Sequence, residues 1–119
     1  HDGIALPALK TDDILLVRIK DYDAIAIDEA QFFHNLKTAV QLMLNENKYV
    51  IVAGLNGDFK QEPFGEIKDL ISIADEITFK RALCTTCGNA ASFTKRLDNN
   101  TAKIAVQSKY IAVCRKCYV

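Results

Sequence analysis

Two short apolar runs, Asp23–Glu29 and Tyr49–Leu55, flank a segment of helical period, and two Cys-x-x-Cys pairs close the chain. Together they predict an α/β fold with a parallel sheet, followed by a small unit clamped through its cysteines. The 119 residues suffice for one compact domain, or one domain plus a small appendage, and half of them are apolar, enough for a real core.

The elements follow in order. Residues 1–10, with Gly3 and Pro7, read as loop. Thr11, Asp12 and Asp13 offer side-chain oxygens to the free N–H groups of a helix start. Ile14, Leu15, Val17, Arg18 and Ile19 then predict a short amphipathic helix ending near Lys20-Asp21. The run Asp23–Glu29 is apolar and stops abruptly at two acids, the pattern of a buried parallel strand. After Gln31 the period becomes helical, with Phe33, Leu36, Val40, Met43 and Leu44 on one stripe and Asn45 and Asn47 as the stop. Tyr49–Leu55 is a second buried strand, leading into the turn-rich Asn56-Gly57-Asp58. A helix over Glu66–Ala74 and a third strand at Ile77–Phe79 are expected before the first cysteine pair. Between the pairs, Ala91–Arg96 and Thr101–Val106 read as short strands joined by a turn at Asp98-Asn99-Asn100, as in a zinc ribbon with a long inserted loop.

The cysteines are Cys84, Cys87, Cys114 and Cys117. Four thiols in two such knuckles match a tetrahedral structural zinc site, with Zn–S distances near ~2.3 Å. The alternatives are two disulfides or free thiols. Thiols in metal spacing suit a reducing, cytoplasmic setting. Lysine plus arginine and aspartate plus glutamate both total 15, so net charge is zero, which argues against electrostatic nucleic-acid binding as the main task. No apolar run reaches the ~20 residues of a membrane span, and no signal-peptide pattern is visible.

Chemistry points first to Asp28 and Glu29. In open α/β sheets ligands bind beyond the carboxyl ends of the strands, and an apolar strand ending in acids is the Walker B pattern. One acid there can hold Mg²⁺ and its neighbour can act as a base; strands also end in acids merely for solubility or capping. Phe59 and Phe64 lie in loop sequence beside Gly57, Pro63 and Gly65, so they either fold back on the core or wall a ligand site. His1 and His34 are read as solvated rather than metal-ligating. Thr94-Lys95-Arg96 reads as a surface strand, and Tyr110 as a packing residue.

Taken together these segments resemble the type II (cellular-type) thymidine kinases. Ile25-Ala26-Ile27-Asp28-Glu29-Ala30-Gln31-Phe32-Phe33 is similar to the family's IDE-x-QFF segment. Val50–Leu55 with Asp58–Gly65 is similar to its VIVAGL…DF…EPFG segment. Cys84-x-x-Cys87, Phe93–Leu97, Lys109-Tyr110 and Cys114-Arg115-x-Cys117-Tyr118 follow in the family's order, and His1-Asp2 fits its HD. Three positions depart: Ala30 where Gly is usual, Asn56 where Asp is common, and Ala105-Val106 where a Gly is typical.

The resemblance implies a P-loop-kinase-type (RecA-like) domain portion over residues 1–80 and a zinc-ribbon domain with a lasso-like loop over 81–119. It implies transfer of the γ-phosphoryl of ATP to the 5′-hydroxyl of thymidine, in nucleotide salvage. Glu29 would be the catalytic base, and Asp28 would hold Mg²⁺ through water. Phe32, Leu55, Phe59, Phe64, Thr94 and Tyr110 would bind the nucleoside, under a loop that reads thymine through backbone groups. Structural zinc, Mg²⁺ with ATP, a homotetramer and feedback inhibition by thymidine triphosphate are also implied, with no nucleic-acid or membrane partner. No G-x-x-x-x-G-K-[ST] occurs in the 119 residues, so the chain is expected to be the C-terminal portion of such a kinase, with its phosphate-binding loop upstream. The competing expectation is a catalytically silent zinc-ribbon relative acting as a binding or regulatory module.

Overall fold

The computed structural model describes residues 7–99, 104 and 108–119. His1-Asp2, the expected strand at 101–106, the Asn100 end of its turn and the Ala105-Val106 departure lie outside the described residues.

Strands β1 (Ala24–Ile27) and β2 (Tyr49–Val52) pair in parallel, from Ala24 opposite Tyr49 to Ile27 opposite Val52. Helix α1 (Leu36–Asn45) makes the crossover. A parallel pair needs such a crossover because a tight turn cannot reverse the chain twice. Backbone bonds from Tyr49 N–H to the Asp23 carbonyl and from Ala53 N–H to the Ile27 carbonyl, each 2.9 Å, carry the pairing past both strand ends. The core lies on one face of this sheet. Ile14, Ile27, Ala30, Leu36, Ala39, Val40 and Met43 are buried there, and Phe33, Leu44, Val50 and Val52 pack against them. The helical stripe read from the sequence is this face of α1 and its approach. The other face differs from the expectation of fully buried strands: Ala24, Ala26, Tyr49 and Ile51 are exposed. Burial alternates along both strands because α1 and the 67–73 segment cover one side only.

Three local expectations are corrected. The amphipathic helix over Ile14–Ile19 is instead two single 3₁₀ turns, Ile14–Leu16 and Ile19–Asp21. Asp13 does cap the first, accepting from Leu15 N–H at 3.0 Å, but only Ile14 is buried, so no continuous apolar stripe exists to extend it. The helix after Phe64 is a 3₁₀ run, Ile67–Ile73, with no residue fully buried. At Ile77–Phe79 there is no strand among the described residues; Ile77 and Phe79 are both exposed, and no neighbouring strand offers a ladder.

Helix α1 begins without a cap of its own. Asn35 sits in the left-handed region (φ 57°) and its side chain makes no capping bond. The Glu66 carboxylate, just ahead of the 67–73 segment, supplies the cap, accepting from Leu36 N–H at 3.3 Å and Lys37 N–H at 3.2 Å. A negative charge at a helix N-terminus satisfies orphan donors and complements the dipole. At the other end Asn47 takes φ 59°, which lets Lys48 N–H reach the Met43 carbonyl at 3.0 Å.

The second unit is built from β3 (Ala82–Leu83) paired with β4 (Ala90–Ala91), and β5 (Phe93–Arg96) paired with β6 (Tyr110–Val113), both antiparallel. Helix α2 (Arg115–Tyr118) ends it. Cys84, Ala91 and Val113 form its small buried core, with Phe93, Ile111, Cys114, Cys117 and Tyr118 packed around them. No helix among the described residues is long and apolar enough to cross a membrane.

If Glu66 caps α1, Glu66→Ala should lower unfolding free energy by about 1–2 kcal/mol. Denaturant titration of both proteins measures the change.

Candidate functional site

The end of β1 sets the site. Asp28 Oδ1 accepts from the Glu29 N–H at 2.9 Å, turning the chain sharply at the strand terminus. Glu29 itself takes φ 51°, ψ 42°. For a residue with a Cβ that conformation costs about 1–2 kcal/mol relative to the right-handed one, and such strain gathers at functional sites. Ala30 follows with ordinary φ, fully buried, its N–H bonded to the Ala53 carbonyl at 3.0 Å. The Ala30 departure is thus accommodated: the residue needing left-handed backbone is Glu29, one position earlier.

The end of β2 supplies the opposite rim. After Leu55 the chain forms a tight turn around Asp58, which is buried. Its Oδ1 accepts from Lys60 N–H at 2.9 Å and Glu62 N–H at 3.0 Å, an aspartate-organised turn. Gly57 and Pro63 face each other across it. The turn projects Phe59 towards the second unit. There Arg96 lies over the Phe59 ring, its guanidinium carbon 3.6 Å from the centroid. Arg96 also donates to the Tyr110 hydroxyl at 2.7 Å, and the Tyr118 hydroxyl donates to the Phe59 carbonyl. Phe32 and Phe64 meet edge to face, with centroids 5.4 Å apart.

These parts enclose a cleft of about 510 Å³ between the two units. Glu29 and all six residues expected to bind a nucleoside, Phe32, Leu55, Phe59, Phe64, Thr94 and Tyr110, line it. Asp28 does not line it; it is exposed beside Glu29, with its Oδ1 taking the Glu29 N–H. His34 is exposed, as read from the sequence. The sequence reading missed four contributors. Gln31 is 4% exposed and lines the cleft beside Glu29. Asp58 lies at its floor. Arg96 is buried rather than on a surface strand. Tyr118 ties α2 to Phe59. For Arg96 a signal existed: strand side chains alternate, so Arg96 shares the face of Thr94.

The four cysteines converge behind the cleft. Their sulfurs all lie within 4.8 Å of one another, and Cys87 and Cys114 Sγ are 3.6 Å apart. A disulfide requires ~2.05 Å, and all four are free thiols. Sulfurs around a tetrahedral zinc stand ~3.8 Å apart for Zn–S bonds of ~2.3 Å, so the cluster is compatible with zinc. The knuckle backbone favours thiolates. The Cys114 N–H is the leading influence that pushes Cys84 down to about 6, and the Cys117 N–H lowers Cys114. Cys117 is pushed up to about 12, chiefly by the Cys114 side chain. Thiolate character at Cys84 and Cys114, with the other two sulfurs within 4.8 Å, suits a cation. Gly88 closes the first knuckle at φ 79°, its N–H bonded to the Cys84 carbonyl at 2.8 Å.

A strand-end carboxylate on an aromatic-lined cleft, with four clustered cysteines in the second unit, marks a small mixed α/β protein. The family described as thymidine kinase matches residues 1–118. The chain is 41% identical to the thymidine kinase of Myxoma virus (strain Uriarra) over 123 aligned positions, covering 99% of this chain and 68% of that protein. It is 42% identical to the thymidine kinase of Fowlpox virus (strain NVSL), covering 98% of this chain and 60% of the relative. Against the thymidine kinase of Variola virus (isolate Human/India/Ind3/1967) identity is 43%, with 97% and 66% covered. The chain belongs to the thymidine kinase family. It spans about two thirds of the length of these relatives.

The left-handed backbone at Glu29 makes a stability prediction. Glu29→Gly should be more stable than Glu29→Ala by about 1 kcal/mol, because only glycine adopts φ 51° without penalty. Parallel thermal melts of the two variants read the difference.

Proposed function

We propose that the cleft is the thymidine site of a kinase that moves the γ-phosphoryl of ATP to the nucleoside 5′-hydroxyl. The observation that carries this is the convergence of Glu29 with Phe32, Leu55, Phe59, Phe64, Thr94 and Tyr110 on one cavity from four separate segments. Apolar walls desolvate a flat pyrimidine, and the Phe32–Phe64 pair makes a rigid side for it. Thr94 and Tyr110 provide hydroxyls for its polar edge.

Glu29 is exposed at the mouth and acts as the general base. As the 5′-oxygen attacks the γ-phosphorus in line, its proton passes to the Glu29 carboxylate. The new O–P bond forms while the bond from phosphorus to the β,γ-bridging oxygen breaks, and ADP leaves with that electron pair. Asp28, with one oxygen already bonded to the Glu29 N–H, would be the residue that helps hold Mg²⁺. Mg²⁺, when bound with ATP, neutralises charge on the phosphates. Because no G-x-x-x-x-G-K-[ST] occurs in these 119 residues, phosphate transfer is assigned to the complete protein. The finer fold reading belongs here too: residues 1–80 as part of a P-loop-kinase-type domain, and 81–119 as a zinc ribbon with a lasso loop. Zinc held by Cys84, Cys87, Cys114 and Cys117 is structural. A cytoplasmic homotetramer inhibited by thymidine triphosphate completes the proposal and rests on the family resemblance.

In the complete protein Glu29→Gln should lower kcat for thymidine about 10²–10⁴-fold, with thymidine still bound; steady-state kinetics beside calorimetric binding measures both. Metal analysis should return one zinc per chain. Chelation should abolish the near-UV signal of the Phe93–Tyr118 cluster while helix α1 persists by far-UV dichroism.

A further inference from the structure

Gln31 is a buried side chain that touches both the acid and the backbone of the cleft wall at Leu55. Its Nε2 donates to Glu29 Oε2 at 2.9 Å. Its Oε1 accepts from the Leu55 N–H at 3.0 Å. The second contact fixes the orientation of the amide, since a backbone N–H can meet only the carbonyl oxygen. The donor end therefore points at the carboxylate by necessity.

The chain is built around this amide. A Cβ on Gly54 would stand 2.7 Å from Gln31 Oε1, closer than real contacts allow. Gly65 has φ 60°, and a Cβ there would stand 2.3 Å from the Gln31 carbonyl oxygen. Two glycines of the connection that follows β2 thus leave room, Gly54 for the Gln31 amide and Gly65 for the Gln31 backbone. The remaining mobility of the acid is what the amide removes. Glu29 is exposed, and a glutamate at a solvent-facing rim otherwise samples several rotamers.

We infer that Gln31 is a positioning residue: it locks the Glu29 carboxylate at a fixed distance from Leu55, so that a base seated against Leu55 presents its 5′-hydroxyl to the acid. This rests on Glu29 being the base. Oε2 is held by Gln31, and Oε1 is the oxygen left for the substrate proton. Pre-orientation of this kind acts on the chemical step rather than on nucleoside binding, because the amide touches Glu29 and a backbone N–H, not a group that must contact thymine.

The test is a double-mutant cycle in the complete protein, with kcat and thymidine binding measured for Glu29→Gln, Gln31→Met and the pair. Gln31→Met keeps the length and removes both polar ends. It should lower kcat about 10–100-fold, with thymidine Kd changed less than about 3-fold. In the Glu29→Gln background it should cost nothing further, since no base remains to be positioned. Gln31→Glu guards against a folding defect. It keeps an oxygen that accepts from Leu55 and, when ionised, loses the donor to Glu29, so its kcat should fall in step with ionisation of the new carboxyl as pH rises, a pH dependence that simple misfolding does not give. Equal losses of kcat in both backgrounds, or a loss of thymidine affinity with kcat intact, would overturn the positioning role. Full activity of Gln31→Met beside a dead Glu29→Gln overturns it alone. Full activity of Glu29→Gln overturns the base assignment and the inference with it.

Discussion

Phe59 is held from both sides, and the cleft depends on that grip. From below, the buried Asp58 carboxylate ties two backbone N–H groups and fixes the turn that presents the ring. From above, Arg96 covers the ring and Tyr118 takes its carbonyl. One residue thus joins a parallel α/β unit to an antiparallel ribbon. It ties the wall carrying Thr94 and Tyr110 to the wall carrying Glu29.

The grip is only as firm as the ribbon behind it. Among its described residues that unit has a small apolar core, Cys84, Ala91 and Val113, and units so small usually need a further staple. Four sulfurs within 4.8 Å supply what the core lacks once a cation joins them. Cys117 sits next to Tyr118, and Cys114 directly follows β6, so a clamp on the thiols fixes the hydroxyl that reaches Phe59. A zinc held there, as proposed, would have no part in the chemistry and would set where the far wall stands.

Much of this was legible in the sequence, for identifiable reasons. β1, α1 and β2 carry strong periods, and the cysteine spacing announces a cluster. The residues converging on the cleft follow the order of known segments. What was not legible depends on distance or on competition between similar states. Glu66 caps α1 from 30 positions away, which no local pattern encodes. Ile14–Leu16 and Ile67–Ile73 have helical composition, yet too little buried face to wind as α-helix, so they stay 3₁₀. Ile77–Phe79 has strand composition and no partner. Gln31 hid inside a motif as one letter, although a buried amide two residues after an acid is a recognisable device. Tyr110, read alone as packing, is opposite Arg96 in the β5–β6 register and shares its task.

The central claim is that one cleft, assembled from both units, seats thymidine with its 5′-hydroxyl at Glu29. A crystal structure of the complete protein with thymidine tests it most directly. The account predicts the pyrimidine between Phe32, Phe64 and Phe59, with the 5′-oxygen within ~2.6–3.2 Å of the Glu29 carboxylate. A nucleoside bound elsewhere, or one in this cleft with its 5′-oxygen turned away from Glu29, would contradict it.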